Sequence, residues 1–340
     1  MRKLASIRKI KNIEPIAGAD RIEVVTVDGW KIVVNKGLHE IGDLVVYCEI
    51  DSFLPIREEF EFLRRTSLKK MADGSEGFRL KTIKMRGTYS QGLVLRTSVL
   101  PEGDFNVGDD VTEILKIRKY EAPVPPSLEG EVKGMFPSFI RKTDEERIQN
   151  YAEDYADFKK YNYFVSEKLD GTSCTMYYYT KLAEEGDDLF GVCSRNLNLK
   201  ETEKSTQWKL ARTFDIEAKM KKLGQNLAIQ GEIIGEGIQK NLYKILGQQF
   251  RVFNIFDIDR YEYLPKEEML KTIELFGLET VPTVYKDVNL PESIDEILLM
   301  AEGNSLLNRK LSREGLVWVS NNSKQRISFK TISNRFLLKH

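Results

Sequence analysis

Cysteine is nearly missing from this sequence: 340 residues hold only Cys48, Cys174 and Cys193. An odd number with no Cys-x-x-Cys excludes a disulfide framework and a cysteine-based zinc site. It fits a reducing, intracellular compartment, the cytoplasm first and the nucleus or an organelle as alternatives. Histidine is scarcer still. His39 and His340 leave the chemistry to lysine, arginine, aspartate and glutamate. No apolar run approaches the roughly 20 residues of a membrane span, so no membrane partner is expected. Acids are absent from "MRKLASIRKIKN", as in a transit peptide, but "LASIRKIKNIEPI" reads as a first strand.

Net charge is also absent, with 52 Lys and Arg against 52 Asp and Glu, but the balance is uneven along the chain. The first 100 residues carry 18 basic and 13 acidic side chains, which leaves 34 and 39 for the rest. A basic first part beside an acidic remainder suits a polyanion-binding module joined to a metal-using domain, although a solvated basic face has the same composition.

Residues 1 to about 115 read as short strands separated by turn signals. A hairpin is expected at Asp28-Gly29, and breaks around Gly87 and Gly92. Strands at this spacing predict a small barrel. The pattern "GADRIEVVTVDGW…VVNKG…IGDLVVYCEIDS" resembles the OB-type tRNA-binding domains appended to some aminoacyl-tRNA synthetases. A Pro-rich linker follows. The segment "TDEERIQNYAEDYADFKK" then opens with Thr143-x-x-Glu146, a capping box that predicts a helix. Further helices are expected to end at Gly224 and Gly277, and another to start from the capping box Ser293-x-x-Glu296. No internal repeat is present. The expected organisation is 1–118 as an OB-fold nucleic-acid-binding domain, 119–142 as a linker and 143–340 as a catalytic domain.

Within that last domain, "SEKLDGTSC" places a lysine, an aspartate and a glycine between strand-forming aromatics. Asp170-Gly171 is a common hairpin dipeptide. Alternatively, Lys168 is a nucleophile with a lowered pKa. Four further segments follow in order: "SRN" (194–196), "GEIIG" (231–235), "VFNIFDI" (252–258) and "EGLVWVS" (314–320), which closes onto "ISFKTIS" (327–333). Together with "EKLDG" (167–171), this set strongly resembles the covalent nucleotidyltransferases, the ATP-dependent ligases and mRNA capping enzymes. "KLDGTS" has Ser173 where DNA ligases carry an arginine, which resembles the RNA ligase 2-like branch. An OB-like domain placed first resembles the Naegleria-type RNA ligases, and the sequence ends shortly after the last motif, where other branches carry their OB domain.

The resemblance implies an α+β fold, with an N-terminal OB-type β-barrel followed by a nucleotidyltransferase domain of ATP-grasp-like antiparallel sheets plus helices. It implies an ATP-dependent RNA ligase that joins 3′-OH and 5′-phosphate ends through lysyl–AMP and AppRNA in RNA repair. The partner implied is RNA, as a nicked duplex, acted on by a monomer. The alternatives are an RNA guanylyltransferase and a tRNA-binding protein with a degenerate catalytic half.

Residue by residue, Lys168 takes the role of nucleophile and Glu167 lies in the nucleotide site. Arg195 contacts the ribose or the incoming end, Phe256 stacks on the purine with Val317 on its other face, and Lys330 neutralises the α-phosphate. Phe253 falls opposite Phe256 on strict strand alternation, so only one of them can stack, and Phe256 is the choice. Attack on phosphorus needs a neutral amine, so burial and a nearby cation are expected to lower the Lys168 pKa. Asp170, Glu232 and Glu314 are the carboxylates to hold magnesium or manganese, with the metal keeping its waters. Lys142 and Arg147, beside the Thr143 capping box, form either a cradle for the β- and γ-phosphates or a solvated helix face. The last motif departs from Lys-x-Lys: Ser328 precedes Lys330 by two, and Lys324 or Arg326 is expected to stand in.

Overall fold

The computed structural model describes residues 3–71, 73–120, 131–185, 188–321 and 326–339. In the N-terminal part, a five-stranded antiparallel sheet runs in the order Leu93–Arg96, Leu44–Cys48, Ala5–Pro15, Ile22–Val27, Trp30–Asn35. The register of Ala5–Pro15 shifts between Ile10 and Asn12. Its first half pairs with Leu44–Cys48 and its second with Ile22–Val27, so one bulged strand serves both sides of a barrel. Two apolar clusters fill this part, one around Ile7, Val46 and Phe78 and one around Val25, Trp30 and Tyr47. Asp28-Gly29 forms the expected two-residue turn, with Asp28 at φ 51° and Val27 paired to Trp30. A second sheet of Arg118–Lys119, Ser52–Pro55, Glu76–Arg79 and Leu68–Lys70 continues past the barrel. Residue 118 therefore lies inside a strand, and residues 121–130 of the expected linker are outside the described residues.

The remainder is built on two further sheets. The larger runs Val132–Met135, Leu197–Leu199, Phe190–Cys193, Thr172–Tyr178, Leu227–Gly235, Gln248–Asp257, Glu262–Tyr263, with Glu279–Thr280 parallel to Gln248–Asp257. The smaller runs Thr283–Asn289, Asn162–Lys168, Gly315–Ser320, Ser328–Ile332. The helices Thr206–Thr213, Ile216–Leu223 and Lys266–Leu275 bury Trp208, Met220 and Ile273 in one cluster with Met176, Ile229 and Ile255 of the larger sheet. Ile297 of the helix Ile294–Ala301 packs with Tyr163, Trp318 and Phe329 of the smaller one. The architecture is α+β, as expected.

The capping box at Ser293 forms, its hydroxyl accepting from Glu296 N at 3.2 Å. Gly224 and Gly277 follow their helices at positive φ. The helix expected from Thr143 is absent. Residues 141–147 instead run along the edge of Ser328–Ile332: Lys330 N donates to Glu146 O at 2.7 Å and Arg147 bridges Lys330 in parallel. A sheet edge with unpaired backbone groups competes with a local helix for the same hydrogen bonds. Only the short turns Ile148–Tyr151 and Tyr155–Phe158 are helical in this stretch.

The two parts meet through part-buried polar contacts. Trp30 Nε1 donates to Asn150 Oδ1 at 2.7 Å, and Asn150 Nδ2 donates to Glu49 Oε1 at 2.9 Å. Gln91 Nε2 donates to Asn334 Oδ1 at 3.1 Å. A cavity of about 1000 Å³ is lined by both parts.

Candidate active site

Lys168 closes its strand, and its cross-strand neighbour is Gly315, so Glu314 lies beside it. Lys168 Nζ donates to Glu314 Oε1 at 2.6 Å. The chain then crosses from the smaller sheet to the larger through Leu169, Asp170 and Gly171, and Ser173 pairs with Glu232. Asp170-Gly171 is therefore no hairpin turn. Gly171 is needed for close approach: a Cβ there would stand 2.3 Å from Ile233 O.

Three carboxylates thus surround one ammonium. Burial pushes Glu232 up to about 8, with Glu314 and Asp170 adding to the rise and Lys168 opposing it. Burial and Glu314 push Asp170 up to about 6. For Lys168, burial alone lowers the pKa as expected. Glu314 (by charge and hydrogen bond), Glu232 and Asp170 together outweigh it, and the net shift is upward. The expected lowering is absent because three carboxyl groups sit nearby and outweigh the effect of burial. Glu314 Oε2 is buried without a hydrogen-bond partner. Among the described residues no three His, Cys, Asp or Glu side chains close into a set that holds an ion directly. An unpartnered buried oxygen amid carboxylates fits a hydrated divalent ion held through its waters rather than an all-protein cage. The Glu167 side chain is buried away from this group. Its Oε2 accepts from Leu306 N at 2.7 Å, so it anchors the backbone at Leu306.

The aromatic expectation is corrected. Phe256 is fully buried, edge-on to Tyr261 and Tyr263, and absent from the cavity wall. Phe253 lines the cavity together with Val317, Ser166 and Asn254. Strict alternation fails because the register with Leu227–Gly235 slips between Val252 and Asn254. Phe250, Val252 and Ile255 consequently share one core cluster at spacings of two and then three. This bulge turns Phe253 to the cavity.

A second charged cluster mirrors the first. Asp144 accepts from Arg195 Nη2 at 2.5 Å, and Lys119 Nζ lies 3.4 Å from it. Burial opposes ionisation of Asp144, but Arg195, Lys119 and Lys330 hold its carboxyl down at about 2. Arg147 also lines the cavity, with its guanidinium 5.8 Å from the centre of the Trp30 ring. Lys142 is exposed and not part of the wall, so the expected cradle of Lys142 and Arg147 is not assembled; without the helix their side chains diverge. Lys324 lies outside the described residues. Arg326 is bound to Glu145 at 3.1 Å, which also accepts from Ser328 Oγ at 2.6 Å. Sequence reasoning missed Asp144, Lys119 and, from the N-terminal part, Arg79 and Tyr120, all of which line the cavity. Nothing local in "KTDEER" or "IRKYE" marks them.

Comparison with known proteins accords with this arrangement. A family model described as an OB-fold domain matches residues 4–97, and one described as RNA ligase matches residues 162–332. No curated protein sequence matches. Solved structures of a Naegleria gruberi RNA ligase are similar over 100% of this chain and 99% of theirs, at 43% identity. They include one with pyrophosphate at a TM-score of 0.90, a mutant with AMP and manganese at 0.90, and a mutant with ATP and manganese at 0.89.

Proposed function

The chain belongs to the RNA ligase family and is an ATP-dependent RNA ligase; on that premise we propose how its own residues carry the reaction. One observation carries the reading: a lysine at a strand end, hydrogen-bonded to Glu314 at 2.6 Å, with Asp170 and Glu232 close enough to shift its pKa. A guanylyltransferase is not favoured beside end-to-end similarity to RNA ligases. A degenerate tRNA-binding protein is not favoured beside a complete set of Lys168, Asp170, Glu232 and Glu314.

ATP binds with its base between Phe253 and Val317, stacking on one face and making apolar contact on the other. Glu167 holds the backbone at Leu306, next to Leu307, which packs in one cluster with Phe253. Lys330 neutralises the α-phosphate, and Arg147 faces the β- and γ-phosphates. Lys168 passes a proton to its hydrogen-bond acceptor Glu314, from which it reaches solvent, and the neutral Nζ attacks the α-phosphorus. A P–N bond forms, the P–O bond to pyrophosphate breaks, and lysyl–AMP remains. A 5′-phosphate oxygen of RNA, met by Arg195, attacks that phosphorus and breaks the P–N bond, giving AppRNA. A 3′-OH then attacks the 5′-phosphorus and AMP leaves. Asp170, Glu232 and Glu314 would hold magnesium or manganese, which supplies charge neutralisation on phosphate oxygens. Excess positive charge at the N-terminal part, and its presence in the cavity wall, support its gripping RNA beside the reacting end.

A nicked duplex acted on by a monomer in RNA repair is the substrate form proposed. Three free buried cysteines support a reducing compartment, and among the described residues no helix is long and apolar enough to cross a membrane. Incubation with labelled ATP, then with nicked duplex RNA and with single strands, tests the reading. Transfer of label to RNA and faster sealing of the nick are expected, and faster joining of single strands overturns the duplex preference.

A further inference from the structure

The loop between the strands Leu227–Gly235 and Gln248–Asp257 contributes only Gln239 to the cavity wall, yet its backbone is strained. Gln239, Lys240 and Asn241 stand in succession at φ of 41°, 60° and 47°, and Lys244 at 57°. Side-chain-bearing residues rarely adopt this region, and such strain persists only where the surroundings over-determine it. Here they do. The Asn241 side chain donates to Ile245 O at 2.8 Å and accepts from Ile245 N at 3.1 Å, closing the loop on itself. The Tyr243 ring is buried against Leu169, Ile234 and Val281, and Asn308 Nδ2 donates to Tyr243 O at 3.3 Å.

The contorted path delivers two contacts. The Tyr243 hydroxyl accepts the backbone N–H of Asp170 at 2.8 Å, and Gln239 Nε2 donates to Gly171 O at 3.4 Å. Lys168 is the last residue of one sheet and Thr172 the first of another, so Leu169–Gly171 belong to neither. No ladder fixes their backbone. The loop grips this crossing from both of its polar sides, within three residues of the lysine. Tyr243 itself is not part of the cavity wall.

We propose that Tyr243 is a positioning residue for lysyl–AMP formation: its hydroxyl fixes the Lys168–Gly171 crossing so that the Lys168 amine and the Asp170 carboxylate keep their places between the two sheets. The proposal rests on Lys168 being the nucleophile. A merely structural tyrosine would act on every step alike, whereas the covalent role of Lys168 ends once AMP has left it. The steps can therefore be told apart.

Tyr243→Phe removes one oxygen and keeps the ring. On one preparation, the rate of covalent labelling by ATP, the rate of joining a pre-adenylylated strand at a nick, and the thermal melt are measured. Displacing reacting groups by about 1 Å can cost about a hundredfold in rate, and a smaller shift about tenfold. Labelling at saturating ATP should fall by a factor in that range, with KM for ATP and the joining rate each within about threefold. Labelling within threefold of the unmodified chain, or an equal loss in both steps, overturns the proposal. Peptide mapping of the unmodified chain's adduct keeps the premise separate. An adduct on a residue other than Lys168 sinks the nucleophile assignment, whatever Tyr243→Phe does.

Discussion

At its more buried end the cavity is lined by Lys168, Glu232 and Glu314, and Asp170, outside the wall, is near enough to act with the two glutamates on the single ammonium. At its more exposed end it sets three cations, Arg195, Lys119 and Lys330, around the single carboxylate of Asp144. The pKa values move accordingly. Glu232 and Asp170 rise to about 8 and about 6, while Asp144 falls to about 2. One cluster has an excess of carboxyl groups and the other an excess of cations, which is the complement of a metal–polyphosphate ligand. The two ends should therefore fail differently when their charges are changed.

The buried end should fail hardest. Glu314→Gln keeps the shape and removes a charge beside Lys168, and labelling by ATP with magnesium or manganese should fall about a hundredfold or more. A variant with normal labelling at ordinary metal concentration would make Glu314 structural. Between the two ends, Phe253→Ala should raise KM for ATP about ten- to a hundredfold, since base stacking contributes about 1–3 kcal/mol. Phe256→Ala should instead lower stability by about 3–5 kcal/mol, as cavities in packed cores do, with KM little changed. The reverse ranking would return the stacking role to Phe256.

At the exposed end, Lys119→Ala should leave labelling within about threefold. It should slow sealing several-fold, more so as salt rises, and reduce the salt slope of RNA binding by about one. Equal loss in labelling and sealing would remove Lys119 from RNA contact.

The smallest effect concerns pH. Glu232 and Asp170 keep protons in the folded chain at pH values where the unfolded chain has lost them. Metal-free stability should therefore decline as pH rises from about 4 to about 8. Lys168, raised, contributes stability that is lost only above its unfolded value and stays constant across this window. Glu232→Gln should flatten the decline. A melt that rises with pH and is unaffected by Glu232→Gln would contradict the buried-end account.

The same contrast marks what the sequence made legible. Motif residues consecutive in the chain, "EKLDG", "GEIIG" and "EGLVWVS", pointed to the buried cluster because each lies on or beside a strand whose position follows from the pattern. The barrel and its Asp28-Gly29 turn were legible from turn chemistry. Asp144 and Lys119 were not, because they meet across two parts of the chain 25 residues apart. Phe253 was misread because "VFNIFDI" itself carries no glycine or proline to mark the bulge that turns it to the cavity; the glycine at the slip, Gly231, lies on the neighbouring strand. The Thr143 helix failed because an open sheet edge offered its backbone better partners.

The most direct test is to incubate the chain with labelled ATP and a divalent metal, digest it, and map the adduct. The account predicts one acid-labile, base-stable AMP phosphoramide on Lys168, absent from Lys168→Met although that variant still joins a pre-adenylylated strand. An adduct elsewhere, or one that persists in Lys168→Met, would contradict it.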